Sequence, residues 1–466
     1  MTKKPLKTRL AIAGVLVLSW FAPILGAQST DAAQGPEWHA QPQKGFLSHI
    51  WLSGEFNSIT QGHPPFRSLY SGPNSFRATT EVATSRVLTL YTGIRLTKMT
   101  DLLFDVEETN GHNVSNSLGL GGFTNADTVG VPNNHPYIAR AIFHQIIPLS
   151  SDYVQVERDP LHLADRLPAR RVELFAGKVN MVDFFDVSGI ASDSHLQFLN
   201  WAIENNAAYG YPADSRGYTD AFLVEYHDHA WAIRFAQAWQ AIAESPDKLD
   251  ADIGRSVSQH IEFEIPTNRI TKQSGLIRSL AFFDNGTLGI YRDAIDAYLA
   301  GIEPVPEIDA YRRPGQLHYG FGIGLEQEVS PTVRIFGRFG WAEGHKQSTA
   351  FAEVDQTFAG GFDMLGRSWR RPEDRVGAGF VSSALSGDHR RYLALGGLGF
   401  ALGDGALNYG REQIFETFYN ARILNGIYVA ADLQAIWNPG YNRDRGPIIV
   451  AAMRLFLTGA LYSHPQ

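Results

Sequence analysis

Segment 317–341 constrains the fold more than any other part of the chain. Leu317, Tyr319, Phe321, Ile323 and Leu325 alternate with His318, Gly320, Gly322, Gly324 and Glu326. After Val329-Ser330-Pro331-Thr332, the residues Val333, Ile335, Phe339 and Trp341 alternate with Arg334, Phe336, Arg338 and Gly340. A period of two means extended strands with one apolar and one polar face, and the interrupted run reads as a hairpin. The period recurs elsewhere. Leu90, Ile94 and Leu96 oppose Thr89, Tyr91, Arg95 and Thr97; beyond a tight turn at Lys98-Met99-Thr100, Leu102, Phe104 and Val106 oppose Leu103, Asp105 and Glu107. Val257, Ile261, Phe263 and Ile265 alternate with Ser258, His260, Glu262 and Glu264.

A soluble sandwich also alternates, so the punctuation decides. Short turns are interleaved with long polar segments such as 110–134 and 241–255, the pattern of short periplasmic turns and longer outer loops in a transmembrane barrel. Aromatics at Trp51, Tyr91, Tyr226, Trp231, Trp341 and Trp437 sit near strand ends, where a barrel carries its interfacial girdles. The N-terminus fits export: Lys3, Lys4, Lys7 and Arg9 precede an apolar run ending near Leu25, and polar residues follow Ala27. That order is a secretory signal peptide over 1–27, since the run is shorter than the roughly 20 residues of a spanning helix and contains Pro23. A polar leader at 28–46, a barrel at 47–456 and a short extension at 457–466 complete the organisation. A barrel of this length holds about 16 strands and is too wide for wall side chains to fill, so a water channel is expected.

Charge and chemistry exclude other classes. The chain carries 40 Lys+Arg against 48 Asp+Glu, and the signal segment removes only basic residues, which argues against nucleic-acid binding. Cysteine is absent, so disulfides, thiolate metal sites and a lipidated N-terminal cysteine are excluded. No nucleophile-elbow, zincin or phosphate-loop motif appears, and neither a cofactor nor a metal is expected. His227-Asp228-His229 falls between two alternating runs and reads as a hairpin turn. Glu412 and Glu416 lie on one strand face about 13 Å apart, beyond the roughly 5–9.5 Å of a glycosidase pair, and read as charges on a channel wall.

The segments EQIFETFYNARI, ADLQAIWNPGYNRDRGP and IIVAAMRLF resemble the closing strands of the carbohydrate-selective porin family, the OprB type. RVELFAGKVNMVDFFD, QFLNWAI, YPADSRGYTDAFLVEYHD and GRFGWAEG resemble the same family. The resemblance implies an all-β, 16-stranded outer-membrane barrel passing small sugars by diffusion. A related branch of manganese porins is similar over the same motifs, which makes a divalent-cation route the alternative; a secreted glycan-binding β-protein is the third reading. The expected partners are outer-membrane lipid and small solutes, with a homo-oligomer possible in principle. Phe456 fits the closing aromatic of a last strand, with the following residues either prolonging that strand toward Tyr462 or hanging as a tail.

Weak, favourable contacts are what conduction needs. The polar faces of the alternating runs offer Asp105, Glu107, Arg234, Glu326, Arg334, Arg338, Glu412, Glu416, Asp432 and Gln434 as pore-lining residues, each of which can equally serve an inter-strand ion pair. One register follows from parity. A two-residue turn at Asn425-Gly426 pairs Leu424 with Ile427 and turns Glu416 or Gln434 toward lipid, at about 2–4 kcal/mol for a basic charge and somewhat less for Glu. A three-residue loop ending in a left-handed Gly426 keeps both inside, with Ile423 opposite Ile427 and Glu416 near Gln434 or Asp432.

Overall fold

The computed structural model describes residues 49–127, 135–156, 159–164, 166–242, 248–252, 254–269, 272–348 and 353–462. The signal segment 1–27 and the leader 28–46 lie outside these residues, as do the last four of the chain. The first strands are β1 (Ile50–His63), β2 (Glu81–Thr97), β3 (Thr100–Gly111) and β4 (Tyr137–Pro148), followed by a small hairpin of β5 (Tyr153–Gln155) and β6 (Arg166–Pro168). Then come β7 (Arg171–Val179), β8 (Thr219–His227), β9 (Ala232–Trp239), β10 (Val257–Pro266), β11 (Gly275–Gly289) and β12 (Arg312–Glu328). The last are β13 (Val333–Ala342), β14 (Gln356–Gly366), β15 (Arg371–Ala384), β16 (Glu412–Leu424), β17 (Ile427–Trp437) and β18 (Ile448–Tyr462). All but β5 and β6 close into one antiparallel barrel, with β18 completing the ring against β1. Among the described residues the α-helices are α1 (Trp201–Glu204), α2 (Tyr291–Leu299) and α3 (Gly387–Ala394).

The alternation becomes two surfaces. Leu317, Tyr319, Phe321, Ile323 and Leu325 are exposed on the outside, as are Phe104, Phe263 and Phe415, and form an apolar belt. His318, Asp105, Glu262 and Glu416 are buried on the inside. Of the expected girdle, Trp437 is exposed on the outer face and Trp231 packs on Tyr226 and Phe263 at the short-turn rim. Trp51 and Tyr91 do not belong to it: they point inward and stack on each other at 6.1 Å. Parity explains this, since both occupy odd positions on the inner face with Thr89 and Asn57. The last strand runs on to Tyr462, opposite Leu52, and Phe456 faces the interior against the His195 ring rather than closing the strand at its edge.

The β16–β17 turn differs from the three-residue loop that parity suggests. Leu424 pairs with Ile427 across Asn425-Gly426, Gly426 adopts φ 72°, and Arg422 pairs with Tyr428. Ile423 is therefore an extra, bulged residue that restores the parity, and Glu416 lies opposite Gln434 on the inner face. The β2–β3 turn uses the same device: Thr97 pairs with Thr100 around Lys98-Met99, and the register shifts at Leu96. A bulge inserts one residue and re-aims those that follow, so a tight turn and an inward charge coexist.

The interior is not simply open water. Connections on one side of the barrel are long, and the one between β7 and β8, residues 180–218, folds inside. Its Phe184, Phe185, Phe198, Trp201 and Tyr209 form a continuous core with Phe282, Phe336 and Phe418 of the wall. Each such ring removed from water contributes about 1.5–3 kcal/mol, so the connection is held as a domain core is held. Glycines on the inner wall admit it: a Cβ at Gly340 or Gly322 would overlap the Asn206 amide.

Candidate functional site

Between this inserted connection and the inner face of β2–β4 lies a cavity of about 850 Å³. The strands contribute Thr89 and Tyr91 from β2, Glu107 from β3, and Tyr137 and Arg140 from β4. Facing them are Asp183, Asp193, His195, Trp201, Glu204, Tyr211, Arg216 and Tyr218 of the β7–β8 connection, with Phe123 and Asp127 of the β3–β4 connection.

On the strand side, charges and rings are tied together. Arg140 grips Asp183 with two parallel hydrogen bonds of 2.7 and 2.8 Å and reaches Asp105 at 3.4 Å. This fork-on-carboxylate arrangement fixes the guanidinium plane. Glu107 accepts from Tyr137, from Tyr218 at 3.1 Å and from Thr89 at 3.2 Å. The Arg216 guanidinium lies 4.0 Å above the Tyr137 ring, and Arg140 and Lys178 each sit 5.7 Å from the Tyr218 ring centre. The opposite side is acidic. Asp193 accepts from the His195 and Leu196 amides, and Asp127 accepts from Asn57 at 2.5 Å. Burial, reinforced by Asp127 and Asp193, holds the Glu204 carboxyl well above the usual carboxylate range.

Of the ten residues that alternation singles out, Glu107 lines this cavity, and Asp105 lies behind it against Arg140. The other eight face inward but are taken up elsewhere. Glu416 accepts the Leu199 and Asn200 amides at 2.5 and 3.0 Å, and Glu412 accepts those of Gly122, Gly440 and Gly121. Arg338 donates to the carbonyls of Ile203, Glu204 and Asp186 and to the Ser192 hydroxyl. Gln434 donates to the Thr124 carbonyl and accepts from Asn200; Asp432 is buried beside it. These residues hold inserted backbone whose polar groups would otherwise be buried without partners.

Arg234, Glu326 and Arg334 belong to a belt of contacts near the short turns. It runs Arg95–Asp101 (3.5 Å), Asp101–His144 (3.6 Å), His144–Glu173 (2.9 Å) and Glu173–His227 (3.4 Å). It continues through Glu225–Arg234 (3.5 Å), Arg234–Glu262 (2.5 Å), and Arg278 between Glu264 and Glu326 (3.0 and 2.5 Å); Arg334 pairs with Asp363 at 2.5 Å. Glu173, Glu225 and His227 bring their ligand atoms within 4.8 Å of one another, as a metal site would. Arg171 at 2.6 Å and Arg234 at 3.5 Å already balance those carboxylates, so the belt itself accounts for the cluster. Asp228 starts the expected hairpin turn, its amide donating to the Trp231 carbonyl.

The chain matches the carbohydrate-selective porin family, OprB type, over residues 74–458. It belongs to that family. OprB of Pseudomonas putida, solved at high pH, superposes with a TM-score of 0.67 at 14% identity, covering 88% of this chain and 94% of that one. The outer-membrane channel DcaP of Acinetobacter baumannii covers 88% and 97% at 9% identity with a TM-score of 0.47. No curated protein matches in sequence. The porin is thus an outer-membrane channel for carbohydrates, and nothing in the match speaks for the manganese branch. Alternation does not find the cavity residues Arg140, Asp183, Asp193, Glu204 and Arg216, because most of them stand in a connection without period; the family-like motifs that fall within 180–218 are a signal that could have drawn notice to it.

Proposed function

We propose that neutral mono- and disaccharides cross this porin by way of the cavity between the β7–β8 connection and β2–β4. One observation carries the reading: a cavity of about 850 Å³ is bordered by aromatic rings, a tethered arginine and a facing set of carboxylates. Sugar rings present weakly apolar faces that lie on Tyr137, Tyr218 or Trp201, and hydroxyls that exchange hydrogen bonds with Glu107, Arg140 or Asp193 as water leaves. Such contacts are numerous and individually weak, which permits both entry and exit. The acidic side disfavours anionic sugars. Export in this reading depends on cleavage after Ala27.

The test is swelling of proteoliposomes in a panel of sugars and salts. Neutral mono- and disaccharides should enter faster than polyols of equal size, and Trp201→Ala with Tyr218→Ala should erase that preference. Strong divalent-cation conduction, with sugars no faster than the size-matched polyol, would overturn the sugar reading.

A further inference from the structure

The connection between β4 and β7 leaves the barrel on the side of the short turns, yet part of it returns inside. Leu163 is 3% exposed and joins the interior core beside Tyr91 and Leu103. Its amide donates to Asp101 Oδ2 at 3.2 Å. The seat is Gly93 on β2, where a Cβ would stand 2.8 and 2.9 Å from the two Leu163 methyls. A glycine at this inner-wall position therefore leaves room for one side chain arriving from outside the barrel. With Leu163 seated, Asp159 and Pro160 become part of the cavity wall.

Asp159 is about half exposed, and one of its two carboxylate oxygens is committed within the turn. Its Oδ1 accepts from the Leu161 amide at 2.7 Å, the His162 amide at 3.0 Å and His162 Nδ1 at 2.8 Å. These bonds close a small turn, in which the Asp159 and His162 backbones also pair. Pro160 at its tip has a fixed φ and no amide donor. At this tip the turn presents shape rather than hydrogen-bonding capacity, Asp159 Oδ1 being spent within the turn.

We infer that the turn at Asp159-Pro160, seated by Leu163 on Gly93, is the size-discriminating exit of the cavity toward the short-turn side. This rests on the cavity being the solute route. Selectivity is thereby divided: rings and charges of the β7–β8 connection and β2–β4 recognise the solute, and the β4–β7 connection limits its length.

The chain has no cysteine, so introduced thiols report without background. Pro160→Cys in planar bilayers, treated from the short-turn side with a methanethiosulfonate ammonium reagent, should lose about half or more of its conductance. Tyr153→Cys, on the exposed β5 hairpin, should label without effect. Leu163→Asp should unseat the turn, raising the trisaccharide-to-monosaccharide flux ratio several-fold. Complete labelling of Pro160→Cys with unchanged conductance would overturn the inference, as would an unchanged size cut-off in a folded Leu163→Asp. Ion current reads the first result even if sugars fail to permeate, so loss of the sugar reading and loss of this one are told apart.

Discussion

Glu416 and Glu107 are both inward carboxylates on barrel strands, and each is met by three or fewer donors from a long connection or its neighbours. Glu416 lies under the β7–β8 connection and spends both oxygens on the Leu199 and Asn200 amides. Glu107 faces the cavity and is held by three hydroxyls, from Tyr137, Tyr218 and Thr89. One side of the inner wall thus acts as a receptor for the chain's own backbone, and the other borders the cavity. Inward charge on a porin strand is by itself no sign of contact with the permeant; what it faces decides.

The contrast breaks most visibly at Arg338, which is 4% exposed and holds four acceptors of the inserted connection besides pairing with Asp186 at 3.1 Å. Arg338→Ala removes the counter-charge of the Asp186 carboxylate, which keeps the Asn206 amide, and takes one donor from each of three backbone carbonyls. It should cost about 3–5 kcal/mol in detergent-solubilised unfolding, with a larger and noisier single-channel conductance. A variant with wild-type stability and conductance would show that the core alone holds the connection.

Glu416→Ala ranks next. Two buried amides lose their acceptor, at about 1–3 kcal/mol each, whereas Glu416→Gln keeps an acceptor and should recover part of the loss. Equal losses for the two variants would mean that charge rather than backbone capping matters. On the cavity side the effects should move from stability to permeation. Since the Glu204 carboxyl is raised, it stays protonated at a pH where ordinary carboxylates are ionised, and it gains its negative charge only as pH climbs. The cation-to-anion permeability ratio from reversal potentials should therefore rise with pH, by about two- to threefold. In Glu204→Gln the rise should be absent; a rise that survives the substitution would assign it to another group. Smallest is Thr89→Val, which removes one of three donors to Glu107 and should cost about 1 kcal/mol, with sugar flux in liposomes changed less than twofold.

The barrel itself was legible in the residues. Alternation in 257–265 and 317–341 reports sheet faces directly, because a strand sends successive side chains to opposite sides. The inward placement of Glu416 and Gln434 also followed from parity, although the device was a bulge at Ile423 beside a two-residue turn. Segments without a period were opaque. Arg140 stands next to a register shift in β3–β4 pairing, and Asp183, Asp193, Glu204 and Arg216 belong to a connection whose path depends on distant partners.

By itself, then, the sequence determined within its alternating runs which residues face outward and which inward, since period-two patterning is a local property that any strand of the sheet must obey. It misplaced Trp51 and Tyr91, expected in the girdle and found inside. It also determined the family, through motifs spread from β7 to β18. Only the tertiary structure decided which inward residues border the cavity. That choice depends on where 180–218 and 159–164 settle inside the barrel, on glycines at 93, 322 and 340 that admit them, and on buried amides that must find acceptors. Glu416 and Glu107 read alike along the chain because the amide or cavity each one meets is supplied by residues far away in sequence.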